Sequence, residues 1–92
     1  MTYLIIERTT VDYGISCNET RIRSVSSSLK KLFHELQKDL NQYDIFEYEW
    51  RKPENKKSNE IIKLSYCVVE RFWLRDILRR ELTIIKTRLD LV

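Results

Sequence analysis

Apolar and polar positions follow two rhythms along this chain, and the change from one to the other marks out its elements. "TYLIIE" (Thr2 to Glu7) is a short apolar run rich in β-formers and predicts a buried strand. Val11, Tyr13, Ile15 and Cys17 alternate with Asp12, Gly14 and Ser16, a period of two that predicts a half-buried strand. Asn18-Glu19 then predicts a turn into "TRIRSV", which closes an N-terminal hairpin.

The rhythm then changes. Leu29, Leu32, Phe33, Leu36, Leu40 and Tyr43 fall on one stripe at about 100° per residue, with Lys30, Lys31, His34, Glu35, Gln37, Lys38 and Asn41 around the rest. The spacing predicts an amphipathic helix ending near Tyr43-Asp44. Ser26 or Ser27 can cap it, since a serine hydroxyl accepts a bond from a free N–H of the first turn.

Period two returns in "IFEYEWRK" (Ile45 to Lys52): Phe46, Tyr48 and Trp50 share one face, Glu47, Glu49 and Arg51 the other. "PENKKSN" (Pro53 to Asn59) is a polar turn, and "EIIKLSYCVV" (Glu60 to Val69) is rich in β-branched and aromatic residues. Together they predict a hairpin. Further on, Leu74, Ile77, Leu78, Leu82 and Ile85 line one side of a helical wheel, and Arg71, Arg75 and Arg79 form a neighbouring stripe at i, i+4 and i+8. This predicts a second helix to about Arg80–Glu81. A final strand follows, with Thr83, Ile85, Thr87, Leu89 and Leu91 in phase; one long C-terminal helix is the alternative.

The expected fold is therefore α+β: a single antiparallel sheet with two helices, in the βαββαβ order of ferredoxin-like folds, plus an extra N-terminal hairpin. With 92 residues, the chain has room for a single domain over 1–92. Hydrophobic residues make up 42% and charged residues 34%, a globular balance that argues against a disordered chain. No apolar run reaches the roughly 20 residues that span a bilayer, and "MTYLIIERTT" has no basic segment ahead of its apolar run. A cytoplasmic location is the expectation.

Composition removes several chemistries. Nucleotide-binding loops need glycines where backbone nears phosphate, and Gly14 is the chain's one glycine. Cys17 and Cys67 are too few for a disulfide framework, and a single bridge between them depends on strand alignment. One histidine and no CxxC leave no zinc site, and no cofactor is expected. His34, alone on a polar helix face, lacks the nucleophile and orienting acid that general-base work requires. Glu47 and Glu49, about 7 Å apart along one strand face, could hold Mg²⁺ with Glu7 only if the sheet order brought all three together. The βαββαβ order is also that of RNA-binding domains that stack bases on central-strand aromatics, and Tyr3 and Tyr66 are loosely placed for it. However, "KLSYCVVERF" lacks the glycine and alternating aromatics of that family's signature.

Cations remain. The stripe Arg71, Arg75 and Arg79, and the hairpin cluster Arg51, Lys52, Lys56 and Lys57, are the candidate macromolecule-binding residues, arginine's planar fork suiting phosphate and carboxylate alike. The net charge of +3 is too small for nucleic-acid binding by charge alone. The chain has no alanine, one glycine and one proline, the pattern of an AT-rich gene, and short products of such genes are common in phages and mobile elements. The expectation is a small non-enzymatic accessory protein, of phage or mobile-element type, that binds and modulates a host protein or nucleoprotein machine in the host cytoplasm. A nucleic-acid-binding protein using the arginine stripe is the alternative, and a metal-dependent nuclease the third reading. A homodimer is compatible with the sequence.

Overall fold

The computed structural model describes residues 2–12, 17–42, 45–53, 59–70 and 76–87. Along the chain lie β1 (Thr2–Asp12), β2 (Cys17–Ser26), α1 (Leu29–Gln42), β3 (Ile45–Arg51), β4 (Glu60–Glu70) and β5 (Asp76–Thr87). The strands form one sheet in the order β2-β1-β5-β4-β3, with every pairing antiparallel. Among the described residues β2 and β3 are its two edges. The helix joins those edges, so it must cross the sheet, and it covers one face.

The amphipathic stripe of α1 explains its seat. Leu32 and Leu36 are fully buried against Ile5 of β1, Leu64, Tyr66 and Val68 of β4, and Leu82 and Ile84 of β5. Leu29, Phe33, Leu40 and Trp50 pack around this cluster. Ser28, rather than Ser26 or Ser27, caps the helix: the Lys31 N–H donates to Ser28 Oγ at 3.4 Å, and the Ser28 N–H donates in turn to Ser26 Oγ at 3.0 Å.

The fold corrects the ferredoxin-like expectation. The described residues contain one helix, and the order is ββαβββ, mostly β. Residues 76–87, expected to begin as a second helix, are strand β5, hydrogen-bonded to β1 on one side and β4 on the other. The reason is Arg80. Leu78, Leu82 and Ile84 share the buried phase of β5, and Arg80 interrupts it with a charge that is itself tucked beneath the helix. Glu7 does the same in β1, so that strand runs past Glu7 to Asp12. Asn18 and Glu19 are paired strand residues of β2, opposite Thr10 and Thr9, and not a turn. Residues 71–75 and 88–92 lie outside the described residues, and with them the N-terminal part of the expected helix and the last residues of the expected strand.

Strand order also rules on the cysteines. β1 and β5 separate β2 from β4, which puts the Cys17 and Cys67 backbones about 14 Å apart across three strand spacings. A disulfide spans at most about 7 Å between Cα atoms. Cys67 is a free, buried thiol.

Packing yields a direct check. Leu36→Ala should cost about 2–5 kcal/mol in denaturant melts, as large-to-small changes in packed cores do, while exposed Lys38→Ala should shift stability by under about 0.5 kcal/mol. Equal small effects would contradict the placement of α1.

Candidate functional site

Two places on the molecule gather polar chemistry, one on each face of the sheet. The first lies beneath α1. In β2 a bulge adds Arg23 between Ile22, which faces Ile6, and Ser24, which faces Ile5. The extra residue resets the alternation, and Arg23 and its neighbour Ser24 both reach the helix. Arg23 donates to both oxygens of Asp39, Nη1 to Oδ2 at 2.5 Å and Nη2 to Oδ1 at 2.6 Å, a bidentate pair. Its Nε lies 3.2 Å from Glu35 Oε1, and its Nη1 3.5 Å from Glu7 Oε2. Ser24 Oγ donates to the Glu35 carboxylate at 2.7 Å.

Glu7 draws in two more arginines. Arg21 Nη2 and Arg80 Nε lie 3.4 and 3.6 Å from Glu7 Oε1. Arg80 Nη1 donates to Tyr66 Oη at 2.9 Å, and Tyr66 Oη donates onward to Asp39 Oδ2 at 3.0 Å. The network thus sets Arg21, Arg23 and Arg80 against Glu7, Glu35 and Asp39. Asp39 is 1% exposed and Glu7 5%. Burying such charges is costly unless they are paired, and here each carboxylate has a guanidinium within 4 Å. The hydrogen bonds to Asp39 raise the Arg23 pKa above its ordinary value against the opposing effect of burial. Burial pushes the Tyr66 phenol up to about 12; the Arg80 guanidinium opposes that shift and the Asp39 charge adds to it. With its carboxylates held this way, the cluster acts to fix α1 on the sheet.

The second place is the opposite face, which no described element covers. Registers lay its side chains out as a grid. One row runs Val25, Leu4, Ile85; the next Ile22, Ile6, Thr83, Lys63, Arg51; then Thr20, Arg8, Glu81, Ser65, Glu49; then Asn18, Thr10, Arg79, Cys67, Glu47. The β2–β1–β5 corner is aliphatic, and Ile22 and Val25 are 60% and 52% exposed there. Toward β3 the face is charged. Small residues of β4, Ser65 and Cys67, floor a groove of about 200 Å³ between Glu47, Glu49 and Arg51 of β3 and Arg79 and Glu81 of β5. Arg51 Nη2 donates to Glu49 Oε2 at 3.2 Å.

The expected binding residues fare unequally. Arg51 and Arg79, expected in separate clusters, meet in this groove because β4 lies between their strands. Arg79 stands on a strand, so it cannot belong to a helical stripe. Lys52 is exposed just past β3. Arg71, Arg75, Lys56 and Lys57 lie outside the described residues. The three glutamates of the metal reading do not converge: Glu7 is under the helix, Glu47 and Glu49 on the other face. Among the described residues no group of three or more His, Cys, Asp or Glu could hold a metal ion. Tyr66 is buried on the helix side and Tyr3 packs against the same core, so neither presents a ring on the uncovered face. His34 is exposed on α1. Arg23 and Arg80 are visible in the sequence as cations but not as groups buried under the helix, and Asp39 carries no signal there.

Compared with known proteins, the chain matches no family model, no curated protein and no solved structure. No helix among the described residues is long and apolar enough to cross a membrane.

The buried phenol makes the network measurable. Tyr66 titrates near 12 in the folded state, against about 10 unfolded. Its contribution to stability is therefore complete below pH 10 and is lost as pH rises from about 10 to 12. Absorbance titration should show a late tyrosinate step near pH 12, and Tyr66→Phe should remove it. A titration with no late step in the folded protein would contradict the burial of this hydroxyl.

Proposed function

We propose that this protein is a non-enzymatic accessory module, of phage or mobile-element type, that binds a host protein through the face of its sheet that no described element covers. The observation that carries the reading is the grid: an aliphatic corner, where Ile22 and Val25 are exposed beside a buried Leu4, continuous with a groove whose walls carry both signs of charge. An apolar patch beside complementary polar groups is the anatomy of a protein interface. The mixed signs bear on the alternative. A phosphate approaching Arg51 and Arg79 also meets Glu47, Glu49 and Glu81, so the groove disfavours a polyanion.

Charge reversal separates the two partners. Tagged protein is used to capture its target from host lysate, with and without nuclease, and the captured partner is then titrated against variants. For a protein partner, capture survives nuclease, and Arg79→Glu and Glu49→Lys each weaken binding about tenfold or more, since both signs are used. For nucleic acid, Arg79→Glu weakens binding, Glu49→Lys strengthens it, and affinity falls steeply with salt, by about 0.9 log units per log unit of salt for each phosphate contacted. That second pattern would replace the proposal.

A further inference from the structure

β2 is an edge strand whose outer side faces no described element, and Asn18, Glu19, Thr20, Arg21 and Ile22 along it are all exposed. A bare edge of this kind is a template for another strand. We infer that its occupant is a second copy of this chain, with β2 pairing antiparallel to β2 across a twofold axis through Thr20.

Geometry restricts the choice of register. Residues directly opposite each other in an antiparallel pair share a face of the sheet. A twofold that makes one continuous sheet from two copies therefore passes through a residue, never between two residues. Within the run before the bulge at Arg23, an axis through Glu19 sets glutamate against glutamate, and an axis through Arg21 sets arginine against arginine. An axis through Thr20 sets Glu19 against Arg21 of the second copy and Arg21 against Glu19 of the second copy. Opposite charges meet twice, on the helix side of the sheet, where Arg21 already lies 3.4 Å from Glu7. On the other side Ile22, left 60% exposed at the edge, gains Asn18 of the second copy as its direct neighbour.

The other edge offers less. Around β3, axes through Glu49 or Arg51 oppose like charges, and one through Tyr48 sets Glu47 against Glu49. An axis through Trp50 matches Glu49 with Arg51, but pairs only Glu49 to Arg51 of the strand before reaching Pro53, which has no N–H to give. The Thr20 axis pairs Asn18 through Ile22, all ahead of the bulge. It also builds a ten-stranded sheet that leaves both grooves uncovered, so a dimer would present two copies of the face assigned above.

Complementary charge variants decide it. Sedimentation equilibrium of the wild type should give twice the monomer mass. Glu19→Arg alone sets Arg against Arg, and Arg21→Glu alone sets Glu against Glu, so each should be monomeric at concentrations where the wild type is a dimer. Mixing the two variants restores both opposite-charge pairs and should restore the dimer as a one-to-one heterodimer. Far-UV circular dichroism checks that each variant is folded. As an independent readout, Thr20→Cys in a Cys17→Ser background should cross-link under mild oxidation, since the two Thr20 Cα atoms would sit about 5 Å apart on the axis. Asn18→Cys in the same background should not. A monomeric wild type, or a mixture that stays monomeric with no Thr20→Cys cross-link, would overturn the inference.

Discussion

The Arg23–Asp39 pair is the contact on which the rest of the structure turns. It joins a helix and an edge strand that the chain places side by side but that share little apolar surface: the leucines of α1 sit toward the centre of the sheet, over β1, β5 and β4. Over β2 the contacts are polar instead, Arg23 to Asp39 and Glu35, and Ser24 to Glu35. Hydrophobic burial holds α1 against the sheet without direction. Two charge-assisted hydrogen bonds of fixed geometry set where along the sheet it rests. A buried pair of this kind need not be more stabilising than apolar packing of the same volume. Its effect is that a displaced helix would leave Asp39, 1% exposed, without its guanidinium.

That arrangement divides labour between the faces. The helix side takes three arginines and three carboxylates into one ion-paired cluster, with Tyr66 as the bridge between Arg80 and Asp39. Those charges are committed to the fold. The uncovered side has charges of its own, laid out by strand pairing and not by burial, and small β4 residues between two charged strands open a groove there. Binding assigned to this face and pairing assigned to the β2 edge use different parts of the sheet and do not compete.

How much of this was legible in the sequence depended on whether a residue's neighbours were local. The α1 stripe and the β3–β4 alternation are local patterns. The helix runs Leu29–Gln42 with a cap one residue further on, and β3 pairs with β4 as expected from Glu47 on, a bulge between Ile45 and Glu47 breaking the alternation before it. The second helix failed because a strand carrying Arg80 in its buried phase fits a helical wheel as well as it fits period two. The partners that make Arg80 tolerable, Glu7 and Tyr66, lie on other strands. The same holds for the site. Arg51 and Arg79 were visible as cations, but their meeting in one groove with three glutamates follows from the order β5-β4-β3, which no local pattern reveals. One signal was available: Glu7 and Arg80 each interrupt an otherwise apolar phase, and opposite charges in buried phases call for each other.

The central claim is that the buried charge pair, and not apolar packing alone, seats the helix. A double-mutant cycle on Arg23 and Asp39 tests it most directly, with Arg23→Met and Asp39→Leu alone and together, each followed by denaturant melts. Arg23→Met strands the buried Asp39 carboxylate and should cost about 3–5 kcal/mol; Asp39→Leu leaves Arg23 its contacts with Glu35 and Glu7 and should cost less. The double change removes both charges and should cost at least about 1 kcal/mol less than the sum of the singles. Single effects below about 1 kcal/mol that add to within about 0.5 kcal/mol would contradict the account.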